Sequence, residues 1–190
     1  GLDTTAVTLT WMFYLLDRHP HVDARLRAEV RAVLDGRLPT VDDLPKLAYT
    51  KRVIQETMRL YPPAWLVPRN AVCDAVVGGR AITAGAPMIL SPYLTHRDPT
   101  HWEDPDTFDP ERFLPERAAG RPRLAYVPFG AGGRQCIGNH FAMMEAQLIT
   151  AMLVQRFKPR FASGREVKPT GAGTLKPAGG LWMTFDRAQR

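Results

Sequence analysis

The sequence predicts a mainly α-helical protein with small β-sheets, an α+β fold. Several long segments repeat apolar residues every three to four positions, which is the period of an amphipathic helix. Other apolar runs are short and are broken by glycines, as in β-hairpins. Seven prolines between positions 92 and 128 exclude long helices and central strands there, so this stretch is predicted to be an irregular meander.

Four helices are predicted from the apolar repeats. Proline disfavours helix in the residue before it, so Pro20 separates the first helix from the second, which ends at Gly36. Thr40 is a predicted cap for one further helical turn. The predicted helices cover residues 1–18, 20–36, 47–61 and 138–157.

Short β-structure is predicted in two places, one before the meander and one near the end of the chain. Glycines separate the apolar runs of the first place, as expected of tight turns. In the second place, a hairpin is predicted around residues 177–180, where two glycines follow a proline and an alanine. The predicted strand residues before the meander are Val72, 75–77, Ile82 and 88–90.

Composition and charge exclude several classes of function. The net charge is +6, but the basic residues are spread along the chain and not interleaved with aromatics, so nucleic-acid binding is not expected. A solvated helix face explains them, and a docking surface for an acidic partner is the alternative. No apolar run reaches the ~18 residues of a membrane span. Two cysteines without paired spacing argue against a disulfide scaffold or zinc site and favour a reducing, cytoplasmic location.

The residues that most strongly indicate a chemical function lie in one segment, which we call the cysteine loop: Phe129-Gly130-Ala131-Gly132-Gly133-Arg134-Gln135-Cys136-Ile137-Gly138. Its cysteine follows an arginine by two residues and directly precedes a predicted helix, and both a cation and a helix N-terminus stabilise a thiolate. The glycines let a flat ligand approach the backbone closely. Such a thiolate can ligate haem iron and favour O–O cleavage, while the arginine can pair with a haem propionate. A buried inert cysteine on a tight turn is the alternative.

The cysteine loop resembles the haem-binding signature of the cytochrome P450 monooxygenases, Phe-x-x-Gly-x-Arg-x-Cys-x-Gly. This resemblance implies the C-terminal portion of the cytochrome P450 fold, with a long proline-rich meander and a cysteine-ligand loop. It implies haem b, iron protoporphyrin IX, as the cofactor and Cys136 as the ligand of the haem iron. Arg134 is then expected to contact a propionate and Phe129 to pack near the sulfur. The matching positions, all implied to bind the cofactor, are Phe129, Gly132, Arg134, Cys136 and Gly138.

A second motif lies on the third predicted helix. Glu56 and Arg59 are three residues apart and share a helix face, which alone indicates a surface ion pair. The segment resembles the Glu-x-x-Arg motif of the family, whose partner is an arginine in a Pro-Glu-Arg-Phe segment of the meander. Here that segment is Pro110-Glu111-Arg112-Phe113. The resemblance implies a structural clamp in which Arg59 and Arg112 both bind the Glu56 carboxylate through two hydrogen bonds.

The resemblance also implies residues on the oxygen and substrate side. Asp3 and Thr4 match the acidic residue and threonine that help deliver protons to bound dioxygen, although polar caps at a helix start are the alternative reading. Arg69 matches a second propionate-binding arginine, and a surface arginine beside a strand is its alternative. The substrate-lining residues implied by the resemblance are Trp65, which could equally be core, with Leu66, Val67, Gly173 and Thr174.

The function implied by the resemblance is a haem-dependent monooxygenase. It would use O2 to oxidise a small apolar organic substrate, with electrons from NAD(P)H delivered by a ferredoxin or a flavoprotein reductase. A peroxide-using enzyme, or an isomerase or dehydratase on the same scaffold, stays open at this point. A truncated, non-catalytic haem-binding fragment stays open as well.

The resemblance covers the chain in order but only the C-terminal half of the family's domain. Residues 1–190 are therefore expected to form the C-terminal part of a single cytochrome P450 domain, whose front half is absent. We expect a bacterial protein without a membrane segment in this chain; an anchor would belong to the absent part. We expect these 190 residues alone to retain haem poorly and to show little monooxygenase activity.

Overall fold

The computed structural model describes residues 2–162, 167–171 and 173–187. The described residues form six α-helices, two of which are single turns in the proline-rich stretch. The four long helices lie close to their predicted bounds, because each one repeats its apolar residues at the helical period. The helices are α1 (Leu2–Arg18), α2 (Pro20–Leu34), α3 (Ala48–Leu60), α4 (Pro92–Thr95), α5 (Pro115–Ala118) and α6 (Asn139–Arg156).

The four long helices pack around a hydrophobic core. Helix α3 contacts α1, α2 and α6, so it lies at the centre of the group. Removing apolar side chains from water is the main favourable term in this packing, and each fully buried side chain contributes about 1.5–3 kcal/mol. The side chains withdrawn almost completely from solvent include Met12, Leu26, Leu34, Leu47 and Ile54.

Arg27 of α2 fixes the C-terminal end of α6. Its Nε donates to both carboxylate oxygens of Asp23 at 2.9 Å, and its Nη1 donates to the backbone carbonyls of Val154 and Phe157. The last carbonyls of a helix lack partners within that helix. Arg27 therefore caps α6 from a neighbouring helix and sets the position of α6 relative to α2.

The described strands pair into four antiparallel two-stranded ribbons. Strand β1 pairs with β4, β2 with β3, β5 with β8, and β6 with β7. The sheets are small, as predicted, and none forms a central layer of the fold. The strands are β1 (Val67–Asn70), β2 (Ala75–Val77), β3 (Arg80–Ile82), β4 (Pro87–Leu90), β5 (Phe157–Phe161), β6 (Pro169–Thr170), β7 (Lys176–Pro177) and β8 (Met183–Arg187).

Three details of the predicted β-structure are wrong. Val72 lies in a bend between β1 and β2, and the partner of β4 is β1, which was not among the predicted strand residues. Residues 177–180 do turn, with the Gly180 N–H donating to the Pro177 carbonyl at 3.1 Å. The strands on either side nevertheless belong to different ribbons, because β8 pairs with β5. The hairpin of this region instead joins β6 and β7.

The connecting segments follow the prediction. Thr40 caps a 3-10 turn over Val41–Lys46, and its N–H donates to Asp43 at 2.9 Å. The stretch from 92 to 128 holds only single helical turns and irregular backbone. Within the described ranges, none of the helices combines the length and hydropathy needed to cross a membrane.

Candidate functional site

The cysteine loop folds back on itself through backbone hydrogen bonds. The Cys136 N–H donates to the Phe129 carbonyl at 2.9 Å, and the Gly130 N–H donates to the Val127 carbonyl at 3.0 Å. Gly130 and Gly132 both have a φ of 72°, in the left-handed region that only glycine adopts without strain. The loop thus closes tightly enough to bring its cysteine to the start of α6.

The surface around Cys136 fits a flat, largely apolar group such as the haem that the resemblance implies. Cys136 is exposed, and two neighbouring apolar side chains, Ile137 and Phe141, are 102% and 62% exposed. A Cβ added at Gly133 would meet nothing within 4 Å, whereas one added at Gly138 would lie 3.9 Å from the Cys136 sulfur. An accessible cysteine sulfur can ligate haem iron, and the exposed apolar side chains and open glycine backbone leave room for a flat ring beside it.

Arg134 and Phe129 differ in their exposure to solvent. Arg134 is exposed at the end of the 3-10 turn Gly132–Arg134, where a carboxylate could reach it. Phe129 is half-buried and packs against the hydrophobic core. The ring of Phe129 therefore fixes the beginning of the loop to the helices, while its carbonyl holds the Cys136 N–H.

The predicted clamp residues meet in a buried cluster. Arg59 donates to both oxygens of Glu56, from Nε at 2.7 Å and from Nη2 at 2.8 Å. Both side chains are withdrawn completely from solvent. Burial raises the pKa of Glu56, and the hydrogen bonds from Arg59 oppose that shift.

Arg112 corrects one part of the prediction, because it does not bind Glu56 through two hydrogen bonds. Its Nε lies 3.4 Å from Glu56 Oε1, which already accepts the Asp109 N–H at 3.0 Å. The outer nitrogens of Arg112 instead donate to the backbone carbonyls of Glu103 and Asp104. Arg112 therefore organises the meander itself and touches the carboxylate from the side.

A second buried group lies just before the cysteine loop, and the sequence reasoning did not identify its function. The Trp102 Nε1 donates to the Ala125 carbonyl at 3.3 Å, and the Tyr126 hydroxyl donates to the Gln55 carbonyl at 2.9 Å. The Val127 N–H donates to His96 Nε2 at 2.9 Å. Only the proline-bounded spacing of 122–128 hinted that this segment must be anchored from elsewhere.

Asp3 and Thr174 were predicted for separate roles, and the structure brings them together. Asp3 lies in the first turn of α1, and its Oδ2 accepts the Thr174 hydroxyl at 2.9 Å. Thr4 follows in the same turn, and its carbonyl accepts the Thr8 hydroxyl at 3.0 Å. The carboxylate near the start of α1 is thus oriented by a side chain from the C-terminal ribbon region.

The predicted substrate-lining residues also converge. The Trp65 Nε1 donates to the Gly173 carbonyl at 3.2 Å, and the Trp65 ring covers Gly171, where an added Cβ would lie 2.0 Å from a ring carbon. Leu66 and Val67 follow Trp65 and are half-buried. These residues form one wall made from two distant parts of the chain.

Arg69 and Cys73 lie farther along this part of the chain. Arg69 lies in β1 and its Nη1 donates to the Pro68 carbonyl at 2.8 Å. Cys73 is exposed in the bend between β1 and β2, and it is free, as is Cys136. The exposure of Cys73 makes it a useful reference for Cys136.

Comparison with known proteins gives a consistent result. The chain matches the family model described as Cytochrome P450 over residues 1–183. It is 47% identical to cyclooctatin synthase of Streptomyces melanosporofaciens over 169 residues, which cover 89% of this chain and 37% of that protein. It is 40% identical to pentalenene oxygenase of Streptomyces avermitilis, with 92% and 39% covered.

Among solved structures, the fold is close to that described as the crystal structure of cytochrome P450DA heme domain. The TM-score is 0.92 at 33% sequence identity, and the match covers 98% of this chain and 42% of the other. This likeness confirms the predicted mixture of helices and small sheets. The chain spans 37% and 39% of the length of the two curated relatives.

Proposed function

Because the chain belongs to the cytochrome P450 family, we propose that it forms the cysteine-ligand face of a haem-dependent monooxygenase, in which Cys136 would ligate the haem iron. The family match and the likeness to a heme domain confirm haem as the cofactor. The observation that carries the proposal is the exposed Cys136, held by the Phe129 carbonyl at the start of an 18-residue helix. We further propose that residues 1–190 are the C-terminal part of a single domain, which the coverage of the relatives supports.

The loop residues have distinct functions in this proposal. When bound, haem supplies the iron at which dioxygen is activated. The Cys136 thiolate would ligate that iron and supply electron density to it, and the hydrogen bond from the Cys136 N–H to the Phe129 carbonyl keeps the backbone in place. Arg134, which is exposed on the loop, and Arg69, on β1, would each pair with a propionate. The open backbone at Gly132 would leave room for the group.

Asp3 and Thr4 provide the protons that oxygen activation consumes. The Thr4 hydroxyl orients water, and the exposed Asp3 carboxylate moves protons in from solvent. The hydrogen bond from Thr174 holds that carboxylate in one orientation, which supports a relay function over a simple helix cap. A fixed carboxylate can give and recover a proton without rearranging.

The substrate is proposed to be a small apolar organic molecule. The wall formed by Trp65, Leu66 and Val67 is largely apolar, and the name of one relative gives pentalenene as its substrate. Electrons are proposed to come from NAD(P)H through a ferredoxin or a flavoprotein reductase.

The Cys136→Ser variant tests the ligand assignment. In the haem-loaded, reduced protein that contains this chain, carbon monoxide should produce a red-shifted Soret band that Cys136→Ser abolishes. Cys73→Ser is the matched control, since Cys73 is the other exposed free cysteine, and it should leave the band unchanged. Persistence of the red-shifted band in Cys136→Ser contradicts the assignment.

A further inference from the structure

We propose that His96 is a positioning residue for the cysteine loop. Its neutral ring binds the backbone at Val127, just before the loop, and so connects that backbone to the clamp of Glu56, Arg59 and Arg112. The expected effect on haem ligation rests on the proposed function, whereas the hydrogen bond from Val127 to His96 does not. His96 lies at the C-terminal end of α4 and is withdrawn completely from solvent.

The ring of His96 acts directly on the entrance to the cysteine loop. Its Nε2 accepts the Val127 N–H at 2.9 Å, and the Val127 carbonyl accepts the Gly130 N–H at 3.0 Å. Both backbone groups of Val127 are therefore occupied. Phe129, two residues farther on, accepts the Cys136 N–H. Few covalent bonds separate the ring contact from the backbone that positions the sulfur.

The backbone of His96 connects the same residue to the clamp. Its carbonyl accepts a hydrogen bond from Arg59 Nη1 at 2.9 Å, and the Nε and Nη2 of Arg59 donate to the Glu56 carboxylate. His96 thus accepts two hydrogen bonds. Its carbonyl accepts one from Arg59 of the clamp, and its ring accepts one from Val127 just before the loop. Without the ring contact, the Val127 N–H would lose its acceptor at a partly buried position.

Only the neutral form of the imidazole can accept the Val127 N–H, since both ring nitrogens of the cation are donors. Burial, together with the positive charges of Arg59 and Arg97, lowers the pKa of His96 to about 4. Tyr126 is a further titratable group packed against the ring, with ring centroids 5.2 Å apart. Burial raises the pKa of Tyr126 well above its ordinary value, so that hydroxyl stays uncharged. The acceptor is therefore present at neutral pH.

Two neighbouring bonds keep the segment in register but attach it farther from the loop. The Ala125 carbonyl accepts from Trp102, and the Tyr126 hydroxyl reaches the Gln55 carbonyl on α3. His96 contacts the last of the three consecutive residues, 125–127, and therefore the one nearest to the cysteine. Tyr126 offers a matched control, because Tyr126→Phe removes a partly buried hydrogen bond of the same segment and leaves the ring of His96 intact.

Amide hydrogen exchange in the protein that contains this chain tests the backbone contact. In His96→Phe, exchange of the Val127 amide should accelerate by about tenfold or more, because its acceptor is gone. His96→Gln places an amide oxygen near the former Nε2 and should keep exchange within about threefold of the original rate. Tyr126→Phe should also leave the Val127 amide protected. If His96→Phe does not fold, His96→Asn, whose side chain is too short to reach Val127, replaces it.

The haem-loaded protein tests the consequence for the cysteine. The fraction of reduced, carbon monoxide-bound protein with the red-shifted Soret band should fall in His96→Phe and recover in His96→Gln. Equal behaviour of the Phe and Gln variants, or an unchanged Val127 exchange rate in His96→Phe, overturns the proposal. So does faster exchange with an unaltered band. Failure of the Cys136→Ser test would remove the spectroscopic readout but not the exchange result, so the two proposals fail separately.

Discussion

Arg59 illustrates how one residue organises its surroundings, because all five N–H groups of its guanidinium are bonded. Three bonds go to backbone carbonyls of the meander, at His96, Pro105 and Thr107, and two go to the Glu56 carboxylate. A planar five-donor group is required to reach these acceptors from one position. The clamp is therefore a link between a helix and an otherwise irregular loop.

Arg59→Lys is expected to be far from conservative. A lysine offers three donors on a tetrahedral head, so several of these buried acceptors would lose their partners, with a loss of about 3–5 kcal/mol in the free energy of unfolding. Arg112→Lys should cost less, about 1–2 kcal/mol, since Arg112 touches Glu56 only at 3.4 Å. Urea denaturation of both variants measures the difference, and equal losses would contradict the asymmetric clamp.

Thr174→Val tests whether the hydroxyl contact to Asp3 matters for proton delivery. General acid–base groups contribute about 10²–10⁴-fold, and a residue that only orients the carboxylate should cost less, about fivefold in product formed per NAD(P)H consumed. Thr174→Ser, which keeps the hydroxyl, is the control. The measurement is the ratio of product to NAD(P)H, together with the solvent isotope effect. An unaltered ratio in Thr174→Val would show that the contact has no function in the relay.

Single residues also show where sequence reasoning succeeds and where it stops. Cys136 and the pair Glu56 and Arg59 are recognisable because the residues that define each motif lie within ten positions of one another. The contact of Asp3 with Thr174 spans 171 positions, and that of His96 with Val127 spans 31. Contacts of this kind depend on how distant parts of the chain pack together, so no local sequence pattern predicts them.

At the scale of elements, the C-terminal hairpin of β6 and β7 packs against a tryptophan from the segment before β1. Glycine is needed at position 171, because the Trp65 ring occupies the space of a side chain. The prediction of helices succeeded through their period, and the predicted hairpin at 177–180 failed for a different reason. Glycines mark where a chain reverses, but they do not specify which strands then pair.

Gly171→Ala should destabilise this hairpin. Its Cβ would lie 2.0 Å from the Trp65 ring, so the ring must move, at a cost of about 1–3 kcal/mol. Gly133→Ala is the matched control, since its Cβ would meet nothing within 4 Å. Thermal unfolding, with near-UV circular dichroism as a probe of the tryptophan environment, distinguishes the two. Similar melting temperatures for both variants would argue against close packing at Gly171.

At the scale of the whole molecule, buried His96 makes stability depend on pH. Its pKa is about 4 when folded and 6.5 ordinarily, so the unfolded chain binds the extra proton between these values. The contribution of neutral His96 to the free energy of unfolding is therefore fully present above about pH 6.5. It is lost as the pH falls towards about 4, by an amount on the order of 3 kcal/mol. Burial raises the pKa of Glu56, which acts in the opposite direction, whereas the lowered pKa of Asp43 matters only below its ordinary 3.8.

The contribution of His96 is measured as a difference. Urea unfolding across this pH range should show a steeper decline for the original chain than for His96→Gln, which has no titrating ring. Both proteins retain Glu56 and Asp43, so their contributions cancel in the comparison. Parallel pH profiles for the two proteins would mean that His96 is not held neutral by the fold.

The bond from Arg27 to the far end of α6 has a mechanical consequence for the cysteine. Helix α6 has 18 residues, and at 1.5 Å of rise each it is a rigid lever about 27 Å long. Arg27 holds one end and Cys136 precedes the other. A tilt of about 2° at the held end would swing the sulfur by about 1 Å, and errors of that size can cost about a hundredfold in rate. The position of the Cys136 sulfur is therefore set partly by Arg27, at the opposite end of α6.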